Sequence, residues 1–247
     1  LYTNLKANDF WFPIANLMPH GIIKSHLQKL GGEAEPLDKF TNNALLYFAR
    51  GVSMWELYIS PNLLTEGEWK AIAQSIRWAR DRFDILMYTE MIGGNPRQGE
   101  AYGYIHFAED KGIAALRNPS IEDREMRIIL DPQLGFSSDA QTLVLERVYP
   151  DRYIDPLLYA SGDSITISLK GYETAVYEIY PLQEAEYPLL ADVVFSLKKK
   201  TNSLVIYNIY SSSDNARLLN PDKVENEPAS IQPQYIPACE ERVKLRK

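Results

Sequence analysis

The sequence predicts an α/β segment followed by an all-β segment, and three observations carry that prediction. The stretch ALLYFARGVSMWELYISPNLLTEGEWKAIAQSIRWARDR, residues 44–82, reads as strand, loop and amphipathic helix. Residues 91–99 (MIGGNPRQG) are the densest turn cluster in the chain, which marks a natural domain boundary. After that cluster no helical period is sustained, and short apolar runs alternate with turn residues, the pattern of a β-sandwich.

In the α/β segment, Leu45 to Tyr47 and Val52 to Ile59 are apolar and aromatic runs split by Arg50 and Gly51. They lack clean alternation, which predicts a strand covered on both faces. Ser60-Pro61-Asn62 breaks the run, because Pro61 has no backbone donor and fixes its own φ. Thr65 and Glu68 then form an S/T-x-x-E capping box. The helix behind it places Trp69, Ile72, Ala73, Ile76 and Ala79 at three- and four-residue spacings, a buried stripe, with Trp78 beside it in the core. A strand, loop and packed helix make one βα unit, and in such units the loop after the strand carries chemistry.

Upstream, residues 10–18 form an apolar run that Pro13 demotes from a regular central strand. Residues 21–30 are at best weakly helical, residues 31–36 form a loop, and residues 37–40 begin with a helical turn. Downstream, strands are predicted over 100–108, 111–117, 124–130, 141–149, 164–169, 174–180, 190–197 and 203–210. The basic run at 198–200 reads as a solvated hairpin tip. The Asn-, Pro- and charge-rich tail, 211–247, is expected to be poorly ordered or to wrap the surface. The domain organisation is therefore 1–91, 92–210 and the tail.

Composition narrows the function. With 247 residues and 45% hydrophobic content, the chain can bury one large core or two small ones. The net charge of -7 argues against a nucleic-acid partner, which needs a basic surface. No run approaches 18 apolar residues, so no helical membrane span is expected. Cys239 is the single cysteine, so no intrachain disulfide forms. His20, His26 and His106 are too scattered for a zinc motif, and Gly93-Gly94 lacks the Lys-Ser/Thr and following helix of a phosphate loop. No cofactor or metal is expected. The opening Leu-Tyr-Thr-Asn has neither Met nor a leader pattern, which reads as a processed product or a piece of a longer protein.

The candidate site residues lie around the first two apolar elements. Glu56 sits between Trp55 and Leu57, and a carboxylate in such a strand faces a site or pairs with a buried base. Glycoside hydrolysis requires two carboxylates about one bond, and Asp9 and Glu90 are the nearest other candidates. Trp11, Trp55 and Tyr58 are aromatic platforms of the kind that stack on sugar faces, with packing between strands and helices as the ordinary alternative. His20 stands in the break after an apolar run, placed either to donate to a hydroxyl or simply exposed. Arg50 is accounted for by an ion pair with a neighbouring carboxylate. Tyr102, Tyr104 and Tyr177 pack the β segment or line a binding face.

The stretches FPIANLMPHGII (12–23), RGVSMWELYISPNLLTEGEWKAIAQSIRWAR (50–80), YGYIHFAEDKGIAALRNPS (102–120) and YETAVYEIYPL (172–182) together resemble the C-terminal part of TIM-barrel glycoside hydrolases of the alpha-galactosidase-like kind. The resemblance implies the last βα units of a (β/α)8 barrel followed by an antiparallel β-sandwich. It implies carbohydrate as partner, an upstream barrel segment of the same protein, and a secreted or periplasmic location. A whole barrel takes about 250 residues, and the family's lysine-x-aspartate-x-asparagine type motif is not matched by Lys6-Ala7-Asn8-Asp9. The catalytic carboxylates are therefore expected upstream of this chain. What carries over is position: Trp55 and Glu56 would lie at the C-terminal end of the last barrel strand, facing the sugar. The alternative is a non-catalytic carbohydrate-binding or accessory structural module.

Overall fold

The computed structural model describes residues 1–6, 12–26, 35–136, 142–200 and 205–221. These residues form mostly antiparallel sheet with few helices. The chain opens with a single helical turn, α1 (Tyr2–Leu5), and a 3-10 turn at Ile14–Asn16. Two short strands, β1 (Ile23–Lys24) and β2 (Tyr58–Ile59), pair in parallel, Ile23 against Tyr58 and Lys24 against Ile59. Helix α2 (Leu37–Phe48) crosses between them, and α3 (Glu66–Asp81) follows β2. A last helical turn, α4 (Phe83–Leu86), leads into the β layers.

The strand predicted over 45–59 is present only at Tyr58–Ile59. Leu45 to Phe48 are the final turn of α2, and Val52 to Leu57 are loop, leaving two strand residues. A continuous apolar run cannot distinguish a buried helix from a buried strand, and Phe40, Ala44 and Phe48 keep the four-residue spacing of a helix. The helix ends because Gly51 takes φ +71° against α4, where a Cβ would lie 1.9 Å from the Leu86 carbonyl oxygen. Two smaller corrections follow. Residues 23–24 are strand rather than weak helix, and the described part of the 10–18 run makes a 3-10 turn rather than a strand.

Helix α3 starts as read. The Thr65 hydroxyl accepts from the Glu68 N–H at 3.3 Å, and the Glu68 carboxylate accepts from the Thr65 N–H at 2.8 Å, satisfying two orphan donors reciprocally. Ala71, Ile72 and Ala79 are buried, but Trp69 is 42% exposed, against its expected place in the core.

The main sheet has eight antiparallel strands in the order β12-β11-β8-β7-β10-β5-β4-β3. They are β3 (Thr89–Gly93), β4 (Tyr102–Ala108), β5 (Lys111–Arg117), β7 (Leu143–Tyr149), β8 (Arg152–Ile154), β10 (Thr174–Pro181), β11 (Leu190–Lys200) and β12 (Val205–Leu218). Strands β6 (Arg124–Ile129) and β9 (Ser164–Leu169) make a separate ribbon. Alternation sorts the faces. Tyr104, Ile113, Ala115 and Val176 pack against α2, α3 and α4, while Ile105, Ala114, Leu116 and Ala175 pack against Met126, Ile128, Ile165 and Ile167 of the ribbon. The eight-stranded sheet is thus the middle layer. The turn cluster 91–99 joins β3 to β4, so the antiparallel pairing already begins at Thr89. Residues 211–218, expected in the tail, belong to β12 and pair with β11. Their polar composition is that of an edge strand facing water. Residues 222–247 lie outside the described residues.

Among the described residues the parallel pair stands as two strands alone. Tyr58 N–H donates to the Ile22 carbonyl at 3.0 Å and Ser60 N–H to the Lys24 carbonyl at 2.9 Å. In such a ladder the backbone groups of Ile23 and Ile59 therefore point to the outer edges. Among the described residues no strand pairs with either edge.

Candidate functional site

Three of the five expected site residues meet at one place. Glu56 Oε2 lies 3.2 Å from His20 Nδ1, and Glu56 Oε1 accepts from the Tyr58 hydroxyl at 2.7 Å. The His20 and Tyr58 rings contact edge to face, with centroids 5.5 Å apart. The loops that carry them are pinned by Tyr47 of α2. The Glu56 N–H donates to the Tyr47 hydroxyl oxygen at 2.8 Å, and that hydroxyl donates to the Glu56 carbonyl at 3.3 Å. Gly21 makes the approach possible, since a Cβ there would lie 1.8 Å from the Glu56 carbonyl oxygen and 2.7 Å from the Tyr47 ring.

The cluster is open to water: the His20 side chain is 73% exposed and that of Glu56 29%. The hydrogen bond to Glu56 and the charge beside it hold the Tyr58 phenol above its ordinary range, because ionising it would remove the donor and set two anions together. The arrangement offers a carboxylate, an imidazole and a phenol to a ligand rich in donors and acceptors.

The other two expected residues do not join it. Trp55 turns towards the helices, meeting the Phe48 ring edge to face at 5.0 Å, with the Arg80 guanidinium 5.9 Å from its ring centroid. This is the packing role weighed for it. Trp11 lies outside the described residues, as does Asp9. Glu90 is exposed on β3. Arg50 lies over the Tyr47 ring at 5.5 Å and belongs to no ion pair among the described residues.

The direction of the site also differs from expectation. His20 precedes β1 and Trp55 and Glu56 precede β2, so these residues stand at the N-terminal ends of the parallel strands, not at a C-terminal end. The reason is that the strand starts only at Tyr58, past the loop that the apolar run concealed. At the opposite, C-terminal ends lie residues that the sequence reading passed over. The His26 N–H donates to the Ser60 hydroxyl oxygen at 3.2 Å, and the His26 ring Nε2 lies 3.2 Å from the Asn62 side-chain oxygen. The Ser60-Pro61-Asn62 break was the available signal, since loops that follow parallel strands carry function.

A cleft of about 540 Å³ runs between β1, α2 and the start of the β layers, and His20, Lys24, Asn43, Arg50, Tyr102 and Arg117 contribute to its walls. The sheet holds a further pair of carboxylates. Glu146 and Glu178 face each other directly across β7 and β10. Glu178 accepts from the Trp78 indole N–H at 3.2 Å and pairs with Arg82, while Glu146 pairs with Arg152 at 2.8 Å and accepts from the Tyr180 hydroxyl at 2.8 Å. Burial raises the Glu146 carboxyl above the usual range. Covered by α3 and tied to arginines, this pair joins helix and sheet rather than facing a ligand. Among the described residues no group of three or more His, Cys, Asp or Glu could hold a metal ion.

No family model and no curated protein matches the sequence. Solved structures similar to the chain include alpha-galactosidase I from Mortierella vinacea, at 8% identity and a TM-score of 0.42, covering 62% of this chain and 38% of that one. They also include an alpha-amylase from Geobacillus thermoleovorans, at 9% identity and a TM-score of 0.40, covering 60% and 34%. The trehalose-6-phosphate hydrolase of Bacillus licheniformis is similar at 15% identity and a TM-score of 0.30, covering 46% and 18%. The chain thus spans well under half the length of the structures it resembles.

Proposed function

We propose that this chain is the C-terminal part of a carbohydrate-active glycoside hydrolase. In this reading β1, α2, β2 and α3 are the last two βα units of a barrel, and the β layers form an accessory sandwich. The observation that carries it is the parallel pair whose outward N–H and C=O groups, those of Ile23 and Ile59, meet no partner among the described residues, where a further parallel strand would pair. An upstream segment of the same protein supplies those strands and, with them, the catalytic carboxylates. His26, Ser60 and Asn62 stand at the strand ends where barrel chemistry is done, and His20, Glu56 and Tyr58, clustered at the opposite ends, form a carbohydrate contact apart from that catalytic mouth.

The test is hydrolysis of aryl glycosides by this chain alone and by the chain joined to its in-frame upstream coding sequence. The chain alone is expected to be inactive, and an extension of about 200 or more residues is expected to restore turnover. Turnover by the chain alone, abolished by Glu56→Gln, would overturn the assignment of the carboxylates to an upstream segment. A second reading, a non-catalytic carbohydrate-binding module, is favoured by a small cleft beside the antiparallel sheet that Arg147, Tyr153, Asp155, Thr166 and Ser168 help to line.

A further inference from the structure

We propose that the cleft between β8 and β9, on the ribbon side of the main sheet, binds a neutral carbohydrate, one sugar ring of a glycan, through Arg147, Asp155 and Tyr153. The inference needs neither an upstream barrel nor hydrolytic activity. The cleft measures about 170 Å³, space for about five or six waters at ~30 Å³ each. Its apolar floor comes from Leu145, Ile167 and Tyr177. Thr166 and Ser168, exposed on β9, bring hydroxyls to its rim. The outer edge of β9 is unpaired among the described residues, because β9 pairs with β6 alone.

The charged groups define the ligand. Arg147 and Asp155 line the same small space, yet among the described residues neither belongs to an ion pair. Each is instead held by its own neighbours. Arg147 Nε donates to the Asp151 carbonyl at 3.0 Å, and its guanidinium lies 5.6 Å from the Tyr153 ring centroid. Asp155 accepts from the Leu157 N–H at 2.8 Å. The Tyr153 hydroxyl donates to Asp192 at 2.8 Å, which fixes its ring. A guanidinium has five donors and a carboxylate about four acceptor sites, so both retain capacity after these contacts. An anion entering the cleft would meet Asp155, and a cation would meet Arg147. A sugar hydroxyl satisfies both, accepting from one and donating to the other, and the tyrosine rings supply the amphipathic surface that a pyranose covers.

The experiment is saturation-transfer NMR on the full chain with a panel of methyl glycosides: the α and β anomers of galactose, glucose and N-acetylgalactosamine. At least one is expected to bind saturably in the millimolar range. Losing a hydrogen bond to a charged group should weaken that binding about tenfold or more in Asp155→Asn and in Arg147→Gln. Ser168→Trp, at an exposed position that leaves the core untouched, should block it, and Glu66→Gln, an exposed substitution on α3 that lines neither cleft, should leave it unchanged. Should the first two variants fail to fold, Ser168→Trp decides. Failure of the whole panel to saturate the native chain would overturn the proposal. So would binding that survives Ser168→Trp and is lost in Glu56→Gln, which would place the sugar at the His20 cluster instead. Neither result bears on whether an upstream barrel exists.

Discussion

Lys24 and Glu68 form a buried ion pair that ties β1 to the first turn of α3. Their side chains are 6% and 3% exposed, and Glu68 is at once the N3 residue of the capping box. Burial works against the Glu68 charge, but the hydrogen bonds from Lys24 and Thr65 outweigh it and hold the carboxyl below its usual range. Removing one partner strands the other in the interior. Lys24→Met or Glu68→Gln is expected to destabilise the fold by about 3–5 kcal/mol, whereas replacing both by apolar residues should cost much less. Urea unfolding of the two single variants and the double variant measures the difference. Equal losses in all three would show that the ion pair is not what joins strand to helix.

His106 sets a pH dependence. It is fully buried on β4, with Nδ1 2.9 Å from the Leu86 carbonyl oxygen. Burial pushes its pKa down from 6.5 to about 4, in spite of the backbone hydrogen bonds that favour the charged ring. Above pH 6.5 the ring is neutral folded and unfolded, and it adds no pH dependence. Below that, only the unfolded chain takes up the proton, so stability falls as pH drops from 6.5 to about 4. At ~1.4 kcal/mol per pH unit the loss approaches about 3 kcal/mol. The native chain and His106→Asn should differ in the slope of stability against pH within that window and run parallel above it.

The Glu56–Tyr58 hydrogen bond has a spectroscopic signature. The Tyr58 phenol should ionise at higher pH than an ordinary tyrosine, because Glu56 holds its proton. Glu56→Gln removes the adjacent charge, and the phenol should then titrate closer to pH 10. Carbon-13 NMR of labelled tyrosine, with Tyr58→Phe to assign the signal, follows this directly. An unchanged titration in Glu56→Gln would mean that the contact does not persist in solution.

The β segment was more legible than the α/β segment, and the difference has a physical basis. SITISL at 164–169 alternates strictly because one face of β9 meets the core and the other meets water. Strand β5 was read to the residue for a related reason, being bounded by the Glu109-Asp110 turn and by Asn118-Pro119. In α2 the signal failed. Ala44 to Phe48 are all buried, so their polarity carries no period to read. The site shows the same limit. Glu56 and Tyr58 were singled out by composition, and the structure joins them to His20, but the end of the strand on which they stand depended on a boundary that the apolar run hid. Arg147 and Asp155 gave no local signal, since the turn from β7 into β8 brings a strand residue and the residue after the next strand into one cleft.

Gly51 ends α2 under two constraints that substitution can separate. Its φ of +71° is costly for any residue with a Cβ, and the Leu86 carbonyl oxygen occupies the place that the Cβ would take. Gly162, with φ +90°, has nothing within 4 Å of that place. Gly162→Ala therefore reports backbone strain alone, about 1–3 kcal/mol for a sparsely populated conformation. Gly51→Ala adds the displacement of α4 from its contact and should exceed Gly162→Ala by at least about 1 kcal/mol. Because His106 bonds the same Leu86 carbonyl, Gly51→Ala should also shift the pH dependence of stability, while Gly162→Ala should leave it in place. Thermal unfolding of both variants at pH 7 and pH 5 tests the two expectations together. Equal effects at both pH values would separate the close of α2 from the buried histidine.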